Sequence, residues 1–280
     1  MDTQLFILAF ALLAVGGVAG FSAGLFGIGG GAIIVPALYY TFSALGYSQD
    51  ISMHVAIATS MAVIIVSSLR SAHSHHHRGA VDWSLVWPKN PLRSWGIWIG
   101  VGSLIAALII SPHLSGASLV SIFAVFIAGI GLQFIFGRPE WTLLNHVPRD
   151  GIVPPIFGSI LGGFCALLGI GFGSIGVTLM VLCKKKIHEA IGTAAALGFF
   201  ISLPATIGYI LSGQNISGRP DYSIGYVNVL GFVMIAITSF IFAPLGVKTA
   251  HNLSQQKLRI VFGICLLGLA LNMIRKGLLV

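Results

Sequence analysis

Apolar runs separated by short polar connections fill the chain almost from end to end. Against a spanning length of about 20 residues, the pattern predicts segments near 4–25, 31–43, 52–71, 92–111, 115–136, 152–169, 174–183, 189–212, 225–247 and 258–276. Two of them, 31–43 and 174–183, are too short to cross a hydrocarbon core at about 1.5 Å per residue. Each follows a cluster of glycines. The first cluster, Gly24 to Gly31, holds five glycines in eight residues within a stretch that carries no charge between Asp2 and Asp50. Irregular backbone at membrane depth survives only where protein buries it or where it lines a cavity, because an unpaired N–H or C=O in hydrocarbon costs several kcal/mol. Both clusters therefore read as breaks between paired helices, and as the first places to look for a binding site.

The breaks belong to a repeat. Gly27-Ile-Gly-Gly-Gly31 recurs as Gly169-Ile-Gly-Phe-Gly173, and His54-Val-Ala-Ile-Ala-Thr59 recurs as His188-Glu-Ala-Ile-Gly-Thr193. The expected architecture is an all-α integral membrane protein of two inverted repeats, each a broken, re-entrant-like helix pair followed by three transmembrane helices. The first repeat covers 1–137, a connecting loop 138–149, and the second repeat 150–280. Inverted repeats with discontinuous helices in corresponding positions point to a transporter whose site lies at the midplane.

Charge supplies the orientation. The bases cluster in 70–93, at Lys184 to Lys186 and around Lys248 to Arg259, while the connections near 44–51, 112–116 and 213–224 hold only Arg219. The positive-inside rule makes the first group cytoplasmic and leaves both termini outside. Arg275 and Lys276 weigh against that threading. A formal net charge of +8 does not imply nucleic acid, since the bases are scattered over short loops. No basic n-region or small-residue cleavage site marks the first segment as a signal peptide. Cys165, Cys183 and Cys265 lack C-x-x-C spacing and read as small buried hydrophobes, so neither a disulfide framework nor a zinc site is expected.

A helix that resumes after a glycine break presents unpaired N–H groups and the positive end of its dipole, which suits an anion. On this ground Gly27, Gly29, Gly30, Gly31, Gly169, Gly171, Gly173 and Ser174 are the candidate substrate-binding residues, with close small-residue helix packing as the alternative. Bulky replacement of Gly30 or Gly171 is expected to abolish transport while the protein still folds. No acid or base lies mid-membrane, so an anion would have to be held by backbone N–H groups, hydroxyls and histidine. Thr59 and Thr193 lie five residues inside His54 and His188, the candidate proton-coupling residues, whose alternative role is to cap a helix or meet headgroups. Ala56, Ser60, Ser67 and Ser71, and likewise Gly198, Ser202 and Thr206, form small-residue stripes at helical spacing that either line a path or pack helices. His73, His75, His76, His77 and Arg78 read as a solvated loop cluster, since consecutive histidines cannot all face one metal ion. Trp83 and Trp87 fit an interfacial belt.

Taken together, Gly27-Ile-Gly-Gly-Gly31 with Pro36, His54-Val-Ala-Ile-Ala-Thr59-Ser60, His77-Arg-Gly79-Ala-Val-Asp82-Trp83 and the second copy of the first two resemble the sulfite exporter TauE/SafE family of bacterial membrane permeases. The resemblance implies a multi-pass protein of the bacterial inner membrane that moves sulfite, thiosulfate or small organosulfonates such as sulfoacetate. It requires no cofactor or metal, and its partners are the anion and membrane lipid, with a homo-oligomer left open. Carried onto this sequence, it adds Thr59, Ser60 and Thr193 to the glycine breaks as substrate-binding positions. The second copy departs at Phe172 and Thr178, where the first has Gly30 and Pro36. A channel with the glycine breaks as its filter is the alternative. An enzyme is not expected, because the chain has no embedded acid pair, His/Glu metal motif or Gly-x-Ser-x-Gly turn.

Overall fold

The computed structural model describes residues 3–26, 30–137, 144–252 and 255–278. Gly27 and Gly29, two of the candidate site residues, lie outside them. The helices follow the apolar runs: α1 (Thr3–Phe26), α2 (Gly31–Ala44), α3 (Gln49–His76), the single turn α4 (Trp83–Val86), α5 (Trp95–Ile105), α6 (Gly116–Phe136), α7 (Ser159–Leu168), α8 (Gly173–Leu182), α9 (Ile187–Ser212), α10 (Val229–Asn252) and α11 (Gln255–Leu278). A wider π-helical turn extends α5 over Ala106–Ile110, and another, opened by Pro154 and Pro155, leads into α7. A two-residue antiparallel hairpin, β1 (Ser223–Ile224) and β2 (Val227–Asn228), precedes α10. Serines set several starts: Ser94 Oγ accepts from Ile97 N at 3.1 Å and Ser115 Oγ from Ser118 N at 3.2 Å, each satisfying an orphan helix donor.

Among the described residues, five helical stretches are long and apolar enough to cross a membrane: Gln49–His76, Trp95–His113, Gly116–Phe136, Ile187–Ser212 and Val229–Thr249. Gly31–Ala44, Pro154–Leu168 and Gly173–Leu182 are shorter apolar helices, and Phe10–Leu25 of α1 and Gly263–Arg275 of α11 are apolar stretches. This is a multi-pass all-helical membrane protein. Helices α3 and α9 form its centre: 83% and 61% of their most apolar windows are buried, against 33% for α10, which shows Ile237, Phe240 and Ile241 to the outside.

The helices pair as α1 with α10, α5 with α7, α6 with α11 and α3 with α9, while α2 lies on α3 and α8 on α9. Exchanging α1, α2, α3, α5 and α6 for α7, α8, α9, α10 and α11 leaves this set of pairings unchanged. Glycine makes the tightest of them possible. Gly16, Gly20 and Gly24 place one face of α1 directly on the backbone of Ile235, Ser239 and Ala243 of α10, so that a Cβ at any of them would collide. Gly162 and Gly102 do the same between α7 and α5.

Three expectations change. Helix α3 runs on to His76 instead of stopping near 71, because Ser and Ala at 71, 72 and 74 carry it until Gly79 turns the chain at φ +67°. The histidine cluster is therefore largely helix, and only part of it is solvated. His75 falls four and seven residues after Ser71 and Ser68 on the inward face, where it is fully buried with Nε2 3.3 Å from Gly24 O. Cys265 is exposed on α11, whereas Cys165 and Cys183 are buried as expected.

Candidate functional site

The two breaks meet at the centre of the molecule. Helix α7 ends on Gly169 in the left-handed region, φ +66°, where Gly169 N donates to Ala166 O and Ile170 N to Cys165 O, each at 3.1 Å. Helix α8 restarts at Gly173 after the buried residues Ile170, Gly171 and Phe172. On the other side Gly30, φ +78°, starts α2 with its carbonyl accepting from Ile33 N and Ile34 N. Gly31 then abuts the carbonyl oxygen of Gly169 with no room for a side chain. Ser60 of α3 donates its hydroxyl to that same oxygen at 2.8 Å. Thus Gly31, Ser60 and Gly169 form one junction.

Ser174, in the first turn of α8, is 3% exposed, and its Oγ has no hydrogen-bond partner. It lies among the first N–H groups of α8, which have no carbonyl one turn earlier to bond within the helix. A buried hydroxyl left in this state costs about 1–3 kcal/mol, which a ligand oxygen would recover. Gly171 and Gly173 are buried beside it.

Thr59 and Thr193 lie elsewhere and do matching work. Thr59 Oγ1 accepts from Asn228 N at 2.9 Å, and Thr193 Oγ1 accepts from Asp82 N at 2.9 Å, each joining a central helix to the other half of the chain. Asn228 escaped the sequence reading, although an Asn just before an apolar run is an N-cap signal; its Oδ1 accepts from Gly231 N at 2.8 Å and starts α10. The small-residue stripes are buried, and Gly198 faces Ser68 across the α3–α9 contact.

His54 is buried, 5% exposed. Its Nδ1 is 2.8 Å from Asp50 O, its Nε2 is 3.1 Å from Ser111 O, and its ring stacks on Tyr226 at 5.0 Å. His188 is half-buried in the first turn of α9.

At the Thr193 end, Asp82 binds Lys185 Nζ and Arg149 at 2.7 Å, and Lys185 also pairs with Glu189. Burial pushes the Asp82 carboxyl up, but hydrogen bonds from Lys185 and Ser84, with the Lys185 and Arg149 charges, outweigh it and hold the group below the usual carboxylate value. Burial lowers Lys185, and its bonds to Asp82 and Glu189 overcome that and raise it.

The sequence model of the family described as "Sulfite exporter TauE/SafE" matches residues 12–273. A "Probable membrane transporter protein" of Haemophilus influenzae is 30% identical over 266 residues, covering 94% of this chain and 97% of the relative. The "Probable membrane transporter protein YunE" of Bacillus subtilis is 36% identical, covering 95% and 97%. A "Probable membrane transporter protein" of Xylella fastidiosa is 28% identical, covering 92% of each. No solved structure matches the chain.

Proposed function

The chain belongs to the sulfite exporter TauE/SafE family and is a membrane transporter, and from that premise we propose that it is a secondary carrier of small sulfur-containing anions, sulfite or organosulfonates of the sulfoacetate kind. The anion binds where the two glycine breaks meet, held by the first N–H groups of α8, by Ser174 and by their counterparts before α2. The halves 1–137 and 150–280 act as inverted repeats that rock about this site, exporting the anion across the bacterial inner membrane. Each helix terminus contributes about 0.3–2 kcal/mol, so side-chain and backbone hydrogen bonds supply the rest. No enzymatic step, cofactor or metal enters this reading.

The observation that carries it is the buried, unpartnered hydroxyl of Ser174 at a helix start. Thr178, one turn on, bonds back to Ser174 O at 2.9 Å, whereas the Ser174 hydroxyl makes no such bond to its own helix. Ser174→Ala is therefore expected to leave thermal stability unchanged or raised, and to weaken binding of sulfite or sulfoacetate about 10- to 100-fold, the loss of a hydrogen bond to a charged group. Calorimetry on purified protein measures the binding, and counterflow in proteoliposomes, which a channel cannot give, measures the transport. Unchanged affinity in a folded Ser174→Ala protein would sink the site.

Coupling to protons runs through His54 in this reading, because its ring bridges the carbonyls of Asp50 and Ser111 where the central helix α3 begins. His54→Gln, which offers a single donor group toward the pair, is expected to retain counterflow while losing acceleration of flux by an imposed proton gradient. Equal acceleration in both proteins would remove His54 from the coupling path.

A further inference from the structure

Apart from the glycine junction, the molecule contains a cavity of about 300 Å³ with an almost wholly apolar lining, at the lower end of ligand-sized pockets. Its walls include Trp95, Val147, Phe157, Phe172 and Leu179, and the connecting loop lines it through Leu144 and Pro148. Polar ties hold that loop: Leu144 N donates to Leu182 O at 3.3 Å, Trp95 Nε1 donates to Pro148 O at 2.9 Å, and Lys184 Nζ reaches Asn145 Oδ1 at 2.7 Å.

Two features identify an occupant. The mouth is formed by exposed apolar residues, Leu144, Phe157 and Leu179, and Phe157 continues a strip with Ile152, Ile156 and Ile160 that a multi-pass protein turns toward lipid tails. The rim is basic. Lys184 follows Cys183 of the lining and Arg149 follows Pro148, while Arg149 and Lys185 already engage Asp82, and Lys185 also engages Glu189. Lys184 is exposed and bonded to a neutral amide oxygen. Basic pockets between membrane helices bind anionic headgroups, and a dry apolar cavity accepts apolar groups.

We propose that this cavity holds one acyl chain of an anionic phospholipid whose headgroup rests against Lys184. The inner wall is Phe172, whose ring fills the space over Gly176 and which stands inside the second break. The bound chain thus packs directly behind the transport junction.

Trp95 supplies the probe, being 7% exposed and part of the cavity wall. The test uses a full-length protein with Trp83, Trp87, Trp98 and Trp141 changed to phenylalanine, in neutral-lipid nanodiscs titrated with phosphatidylglycerol brominated on its acyl chains. Saturable quenching of Trp95 is expected, with about fivefold weaker apparent affinity in Lys184→Gln and loss of the saturable component when Leu144→Phe and Val153→Phe fill the cavity. Native mass spectrometry of the unsubstituted protein provides a second readout, one retained phosphatidylglycerol that Lys184→Gln releases. Equal quenching by brominated phosphatidylcholine would overturn the anionic headgroup, quenching indifferent to the filling variants would overturn the cavity, and none with either lipid would assign the space to the chain itself. Because the readout is lipid contact, its failure would leave the transport reading untouched.

Discussion

Gly31→Val is expected to abolish both transport and much of the fold, measured by flux in proteoliposomes and by thermal unfolding in detergent. The Gly31 Cα lies against the Gly169 carbonyl oxygen, the same oxygen that accepts the Ser60 hydroxyl. A branched side chain there must push α7 away from α2, break that hydrogen bond and open the packed junction. Overpacking of a core costs about 1–3 kcal/mol, and leaving the buried Gly169 carbonyl or Ser60 hydroxyl unsatisfied adds about 1–3 kcal/mol. Ser60→Ala removes only the hydrogen bond, so it should fold and lose a smaller part of the flux. If Gly31→Val unfolded at the same temperature as the parent protein, the breaks would not be in contact. Gly30 is unsuited to separating transport from folding, because it combines φ +78° with a Cβ position 2.7 Å from Ala19 O.

The second large effect is expected from Asp82→Asn. Removing one partner of a largely buried ion pair costs about 3–5 kcal/mol when the other charge is stranded; Glu189 stays beside Lys185, which brings the expected loss to about 2–3 kcal/mol. Its pH dependence follows from the two shifts. The depressed Asp82 carboxyl stabilises the fold fully above its unfolded value near 3.9, and that contribution is lost as pH falls through the lower folded value. The raised Lys185 amine stabilises fully below about 10.4, and that contribution is lost as pH rises through the higher folded value. Melting temperature against pH should show both limbs in the parent protein and a flattened acid limb in Asp82→Asn. An unaltered acid limb would mean that the network contributes nothing to stability. The same network fastens the α3–α4 connection to the α8–α9 connection and to Arg149, so any rocking of the halves that opens this end must break it.

The chain by itself determined the order of its apolar helices, the two glycine breaks, the repeated His-x-x-x-x-Thr motif and the family. These are local properties: apolar run length decides whether a helix can span, and glycine decides where helical backbone gives way, whatever the rest of the molecule does. Even the failed reading of His73 to His77 as a loop was a local error, since the run up to Gly79 holds no breaker and helical periodicity already puts His75 on the face of Ser68 and Ser71. What tertiary structure alone decided is which distant groups meet. Ser60 finds Gly169 across 109 residues, Thr59 finds Asn228 across 169, and Thr193 finds Asp82 across 111. Glycine spacing shows that helices can approach closely, but which backbone each glycine receives depends on the packing of all the helices at once. The same packing fixed the threonines as fasteners between the halves and left Ser174, at the start of α8, with a buried hydroxyl that has no partner.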